Sequence, residues 1–150
     1  MDKATEQNLI RKAMEARTYA YAPYSGFTVG AALLAKNGQV YLGCNIENAA
    51  YTPTNCAERT AFFKAVSEGV REFTAIAIVG GKSDAPDEER TLCSPCGVCR
   101  QVMREFCSPK EFQVILAVNE ENYRVYRLEE LFPMGFGSEN LCKTEGGNIR

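Results

Sequence analysis

The stretch Thr28-Val29-Gly30-Ala31-Ala32-Leu33-Leu34-Ala35, then Asn37-Gly38, then Gln39-Val40-Tyr41-Leu42-Gly43-Cys44 decides the fold. Two runs rich in small, β-branched and aliphatic residues flank a turn dipeptide. Asn37-Gly38 predicts the positive φ angles of a tight hairpin, so the sheet has an antiparallel start. Upstream, Leu9, Ala13, Ala16 and Ala20 fall on one helical face, and Pro23 and Gly26 end that pattern. Downstream, Ala57, Ala61 and Ala65 recur every four residues as far as Gly69, which predicts a helix with a glycine C-cap. Thr74 to Val79 reads as a buried strand closed by Gly80-Gly81, and residues 82–90 as a charged surface excursion. Pro95 suits a first helical turn, and Cys99, Val102, Met103 and Phe106 give that helix its apolar face. Phe112–Val118 and Tyr123–Leu128 complete the strands, and 128–131 forms a short helix before Pro133. Alternating helices and strands behind a hairpin imply an α/β fold: a three-layer α/β/α sandwich with a mixed sheet of about five strands.

At 150 residues, of which 45% are hydrophobic, the chain suits a single domain with a real core. The tail Cys142–Arg150 has no periodicity and is expected to be mobile. A net charge of −2 argues against a protein that binds nucleic acid by neutralising phosphates. The apolar run Val29–Ala35 falls far short of the roughly 18 residues of a membrane span. The polar opening Met1-Asp2-Lys3 predicts no secretory signal. The chain has no histidine, which removes Ser-His-Asp and Cys-His catalysis and every histidine-ligated metal. It has seven cysteines, an odd number that suits metal ligands plus spare thiols better than a disulfide framework.

Cys56-Ala57-Glu58 and, forty residues later, Pro95-Cys96-Gly97-Val98-Cys99 each open a predicted helix. Cys96 and Cys99 share one side of a first turn. Helix N-termini favour thiolates, the form that binds metal. With Cys56 brought to the same point, three sulfurs leave zinc one open position, as catalytic sites do, and Glu58 supplies an acid–base group beside it.

These motifs resemble those of the zinc nucleoside deaminases, and the likeness runs from about Ala20 to Leu141. It includes Ala22-Pro23-Tyr24-Ser25-Gly26-Phe27, Gly43-Cys44-Asn45-Ile46-Glu47-Asn48-Ala49, Cys56-Ala57-Glu58-Arg59-Thr60-Ala61, Ser94 to Gln101, and Leu131-Phe132-Pro133-Met134-Gly135-Phe136. Together they are similar to the small homotetrameric cytidine deaminases. The resemblance implies one zinc per subunit on Cys56, Cys96 and Cys99. It implies attack of zinc-bound hydroxide on C4 of cytidine or 2′-deoxycytidine, with Glu58 shuttling protons and ammonia leaving. Arg59 would return positive charge to the sulfurs. Phe27 would pack on the pyrimidine, Asn45 and Glu47 would hold the ribose 3′-hydroxyl, and Ala49, Tyr51 and Phe136 would reach sites shared between subunits. The family places such enzymes in the cytoplasm, in pyrimidine salvage.

Plainer readings stand beside each assignment. Asn55-x-x-Glu58 has capping-box spacing. Arg59 could be a solvated charge, Phe27 and Phe136 core aromatics, and Asn45, Glu47 and Tyr51 loop residues. Cys44, Cys93, Cys107 and Cys142 read as buried or spare thiols. Cys96 and Cys99 could form a thioredoxin-like redox pair, Cys93-x-x-Cys96-x-x-Cys99 could begin an iron–sulfur run, and the zinc could be structural. Polynucleotide or antibiotic-nucleoside deamination are the alternatives within the deaminases.

Overall fold

The computed structural model describes residues 1–86 and 89–141. Helix α1 (Lys3–Arg17) starts where the Asp2 carboxylate accepts the Thr5 N–H at 2.8 Å. Strands β1 (Phe27–Ala35) and β2 (Val40–Cys44) follow, then α2 (Ala57–Ser67), β3 (Phe73–Lys82), α3 (Gly97–Phe106), β4 (Gln113–Ala117), β5 (Tyr123–Arg127) and α4 (Leu128–Leu131). The five strands lie in the order β2-β1-β3-β4-β5. Only β3 and β4 run parallel, joined through α3; the other pairs are antiparallel. The expected mixed sheet and its helical layers are present. The expected mobile tail, with Cys142, lies outside the described residues.

Side-chain alternation divides the interior in two. On one face Ala32, Ala75, Ala77, Val79, Ile115 and Ala117 meet Leu9, Ile10 and Ala13 of α1. The small residues let α1 lie close: a Cβ on Gly30 would sit 2.0 Å from the Ala13 carbonyl oxygen. On the other face Ala31, Leu33, Ile76, Ile78, Val114 and Leu116 meet α2 and α3. Phe62 anchors that side, packing edge-on against Phe73 with centroids 5.0 Å apart. Gly43 repeats the close approach, since a Cβ there would lie 2.2 Å from the Ala57 carbonyl oxygen. The first turn of α2 therefore rests directly on β2.

Two local details depart from expectation. The hairpin is a three-residue loop, with Gly38 N–H donating to Ala35 O at 3.0 Å and Ala35 N–H to Gln39 O at 2.9 Å. Within this loop only Gly38 has positive φ, +86°, so Lys36 and Asn37 form the centre of a type I turn and Gly38 the bulge. Second, β3 does not stop at Gly80-Gly81. It continues to Lys82 because Val29, Thr28 and Phe27 pair with Gly80, Gly81 and Lys82. The missing side chains make room for other chain segments: a Cβ on Gly80 would lie 2.7 Å from Cys93 Sγ.

The register gathers the chemistry at one end of the sheet. Phe27 begins β1 opposite the last residue of β3, and Asn45 follows the last residue of β2. Helix α3 is the crossover after β3, so its N-terminus lies at the same end, as in open α/β sheets generally. Among the described residues no helix is long and apolar enough to cross a membrane.

Candidate active site

Cys56 is the N-cap residue of α2 and Cys96 that of α3. Their Sγ atoms are 3.8 Å apart, and with Cys99 Sγ all three lie within 4.8 Å of one another. A tetrahedral zinc with Zn–S bonds of about 2.3 Å holds its sulfurs about 3.8 Å apart, so the donor set fits that ion. The Cys99 N–H donates to Cys96 Sγ at 3.4 Å. The Cys56 thiol is pushed well below its ordinary value, first by a hydrogen bond from Cys99 and then by Arg59 and Cys96. Cys99, sharing its proton with Cys56, is pushed the other way. The lowered Cys56 thiol thus favours negative charge at the N-terminus of α2.

Glu58 follows Cys56 by two positions and is only 4% exposed, the one buried charged side chain among the described residues. Burial raises its carboxyl to about 7, with the Cys56 charge adding to the rise. Its capping-box alternative does not form. Cys56, not Asn55, caps α2, and the Asn55 amide donates to Thr60 Oγ1 at 3.1 Å.

Arg59 reaches back over the cluster, donating from Nη2 to Cys56 Sγ at 3.7 Å and to the Thr54 carbonyl at 3.3 Å. It is not a solvated charge; its Nε is buried with no hydrogen-bond partner.

Asn45 and Glu47 are tied to the chain entering β1. The Asn45 amide donates to Phe27 O and accepts from Val29 N, each at 2.8 Å. One Glu47 carboxylate oxygen accepts Tyr24 N–H at 2.9 Å and Ser25 N–H at 3.2 Å, while the other takes a short hydrogen bond from Ser25 Oγ. These bonds hold the Glu47 carboxyl below its ordinary value. Glu47, Tyr51, Tyr24, Ser25 and Thr54 line a cavity of about 370 Å³. Tyr51 is 72% exposed and has φ +57°, unusual for a non-glycine residue. Ala49 is also exposed. Phe136 does not line this cavity; its carbonyl accepts from Gln101 Nε2 of α3 at 2.9 Å and the residue is 55% exposed. Neither Phe27 nor Phe136 is a core residue.

A family model, the cytidine and deoxycytidylate deaminase zinc-binding region, matches residues 3–116. The chain belongs to this deaminase family. Cytidine deaminases of Sporosarcina psychrophila and Halalkalibacterium halodurans are each 50% identical to it over 135 residues, covering 90% of this chain and 93% and 96% of theirs. The crystal structure of cytidine deaminase from Burkholderia pseudomallei is 47% identical, with a TM-score of 0.76, covering 86% of this chain and 97% of that one. The structure of the Mycobacterium tuberculosis cytidine deaminase is 37% identical, with a TM-score of 0.72, covering 87% and 95%.

Family membership and geometry weigh against the redox and iron–sulfur readings of the cysteines. A redox pair of Cys96 and Cys99 leaves Cys56, packed with them, without a role. An iron–sulfur run fails because Cys93 and Cys107 stand outside the sulfur cluster. Cys107 is buried in the core at the end of α3, and Cys93 packs over Gly80. Cys44 donates to the Tyr19 carbonyl at 3.4 Å.

Two further side chains shape the site without a role assigned from their residue type. Ser25 holds Glu47, and Arg100 holds the loop before α3. Arg100 donates to Pro95 O at 2.8 Å, to Leu131 O at 2.5 Å and to Ser94 Oγ at 2.9 Å. A signal for Arg100 was present. A cation in the first turn opposes the helix dipole, so it needs nearby acceptors to sit there. Arg59 carries the same signal at α2.

Proposed function

We propose that this chain hydrolyses the exocyclic amine of cytidine and 2′-deoxycytidine, consuming water and yielding uridine or 2′-deoxyuridine and ammonia. The observation that carries this reading is a three-sulfur set with the spacing of a tetrahedral zinc and a buried carboxyl, Glu58, beside it. Cys56, Cys96 and Cys99 would hold the metal. Bound there, zinc makes a water nucleophilic near neutral pH.

The remaining chemistry belongs to side chains. Glu58, raised to about 7 by burial, is suited to take a proton from the attacking water, deliver it to N3 of the pyrimidine and later protonate the departing amine. Three thiolates overcompensate a divalent cation, and Arg59 at Cys56 Sγ offsets that excess.

For the nucleoside, hydrogen-bond accounting supports Asn45 and Glu47 as a pair. Asn45 retains one amide N–H after its bond to Phe27 O, and Glu47 retains one acceptor site after three bonds from residues 24–25. One donor and one acceptor match a single hydroxyl, which both accepts and donates. Phe27 would pack on the base. Ala49, Tyr51 and Phe136, exposed in one chain, suit a homotetramer in which each site draws on neighbouring subunits. The setting is cytoplasmic pyrimidine salvage.

An ultraviolet time course of zinc-loaded protein with cytidine tests the activity. Conversion to uridine is expected, and folded, zinc-loaded protein that leaves cytidine unchanged would overturn it. Light scattering on the same sample should return four chains per particle; a monomer with full activity would remove the shared-site reading.

A further inference from the structure

Glu47 does not orient itself. It belongs to an exposed loop, and its carboxylate is held by a turn more than twenty residues earlier in the chain. Ser25 supplies two of its three hydrogen bonds, one from the backbone N–H and one from Oγ. The same Oγ accepts the Phe27 N–H at 3.0 Å, closing an ST-turn that leads into β1. Gly26, with φ +63°, lets the chain make that turn. A single hydroxyl therefore joins the backbone of Phe27 to the carboxylate of Glu47. Ser25 and Glu47 also line the same cavity.

We propose that Ser25 is a specificity-determining positioning residue: it fixes which Glu47 lone pair remains free and aims it at one sugar hydroxyl. The proposal rests on the reading of Glu47 as the nucleoside's hydroxyl acceptor. Without the Oγ bond, the carboxylate keeps its two backbone donors on one oxygen but gains a second free acceptor site on the other. It can then turn about its terminal torsion and take water in place of substrate. The loss falls on recognition of the sugar and leaves proton transfer at the base intact, because Ser25 has no bond to Glu58 or the sulfur cluster.

The test compares Ser25→Ala, Ser25→Thr and Glu47→Gln, each folded and zinc-loaded and with its thermal midpoint measured, on cytidine and 3′-deoxycytidine. Ser25→Ala should raise KM for cytidine about tenfold, the scale of one hydrogen bond to a charged group, with kcat lowered no more than about twofold. Its preference for cytidine over 3′-deoxycytidine should shrink by a similar factor, and Ser25→Thr, which keeps the hydroxyl, should restore both. A purely structural role would lower stability without moving that preference. If Glu47→Gln loses the preference and Ser25→Ala keeps it, the Ser25 proposal is overturned and the Glu47 reading stands. If neither variant moves it, both are overturned.

Discussion

The three-cysteine half of the site and the half proposed to take the nucleoside are built on opposite principles. Cys56, Glu58, Arg59, Cys96 and Cys99 sit at the first turns of two helices packed on the sheet, and Glu58 is almost wholly buried. Glu47, Ala49, Tyr51 and Phe136 sit on connecting segments and are exposed apart from the half-buried Glu47. One half is complete within a single chain. The other presents walls without a roof. Glu58 is thus placed before any substrate arrives, whereas in the proposed function enclosure of the substrate falls to whatever covers the exposed loops.

The predictions test that asymmetry in descending size. Removing metal with a chelator should abolish turnover and expose Cys56 and Cys96 to a thiol reagent, while buried Cys107 stays protected; titration with Ellman's reagent reads this out. Glu58→Gln should retain one zinc per chain by metal analysis yet lower kcat by about 10²- to 10⁴-fold, the range of a lost general acid–base. Arg59→Gln should lower kcat by about 10- to 100-fold, as loss of a ligand's supporting contact does, with a smaller fractional change in thermal midpoint. Phe136→Ala should leave metal content intact and raise KM about three- to tenfold, on the scale of one aromatic contact. A kcat loss instead would mean that the two halves are not separable.

The smallest effect concerns pH. The Glu47 carboxyl is held below its ordinary 4.5 by hydrogen bonds from Ser25 and Tyr24. Its contribution to stability is therefore complete above that value and fades as pH falls through the lower folded value. Between pH 5 and pH 3 wild type should lose slightly more thermal stability than Glu47→Gln; parallel melting curves would contradict this.

The same asymmetry governed what the sequence made legible. Cys96-x-x-Cys99 is a local spacing, and local spacing survives folding because one helical turn carries it. The hydrophobic periods of α1 and α2, and the hairpin, were equally local. The run of β3 through Gly80 and Gly81 was not legible, because glycines inside a strand read as a stop until the β1 partners are known. Ser25 was invisible for a related reason: its partner is Glu47, and nothing in either segment alone announces the bond. Asn37-Gly38 announced a turn but not its length, since the loop type depended on which residues completed the ladder.

Gly43 has a consequence for how such a chain tolerates change. Between β2 and the helix that Cys56 caps and Glu58 opens, the nearest atoms at this point are main chain, the Ala57 carbonyl and the Ala61 nitrogen, with only the Ala61 methyl beside them. The elevation of Cys56 and Glu58 above the sheet is set there by atoms that every amino acid shares. The aliphatic residues elsewhere in the interior can be exchanged over generations, provided their summed volume is kept, without altering that elevation. Position 43 itself has no such latitude. A methyl group placed there would wedge the helix off the strand and displace two functional side chains at once. Sequence drift in this protein is therefore cheap across most of the core and prohibitive where a helix backbone touches a strand, at Gly43 as at Gly30.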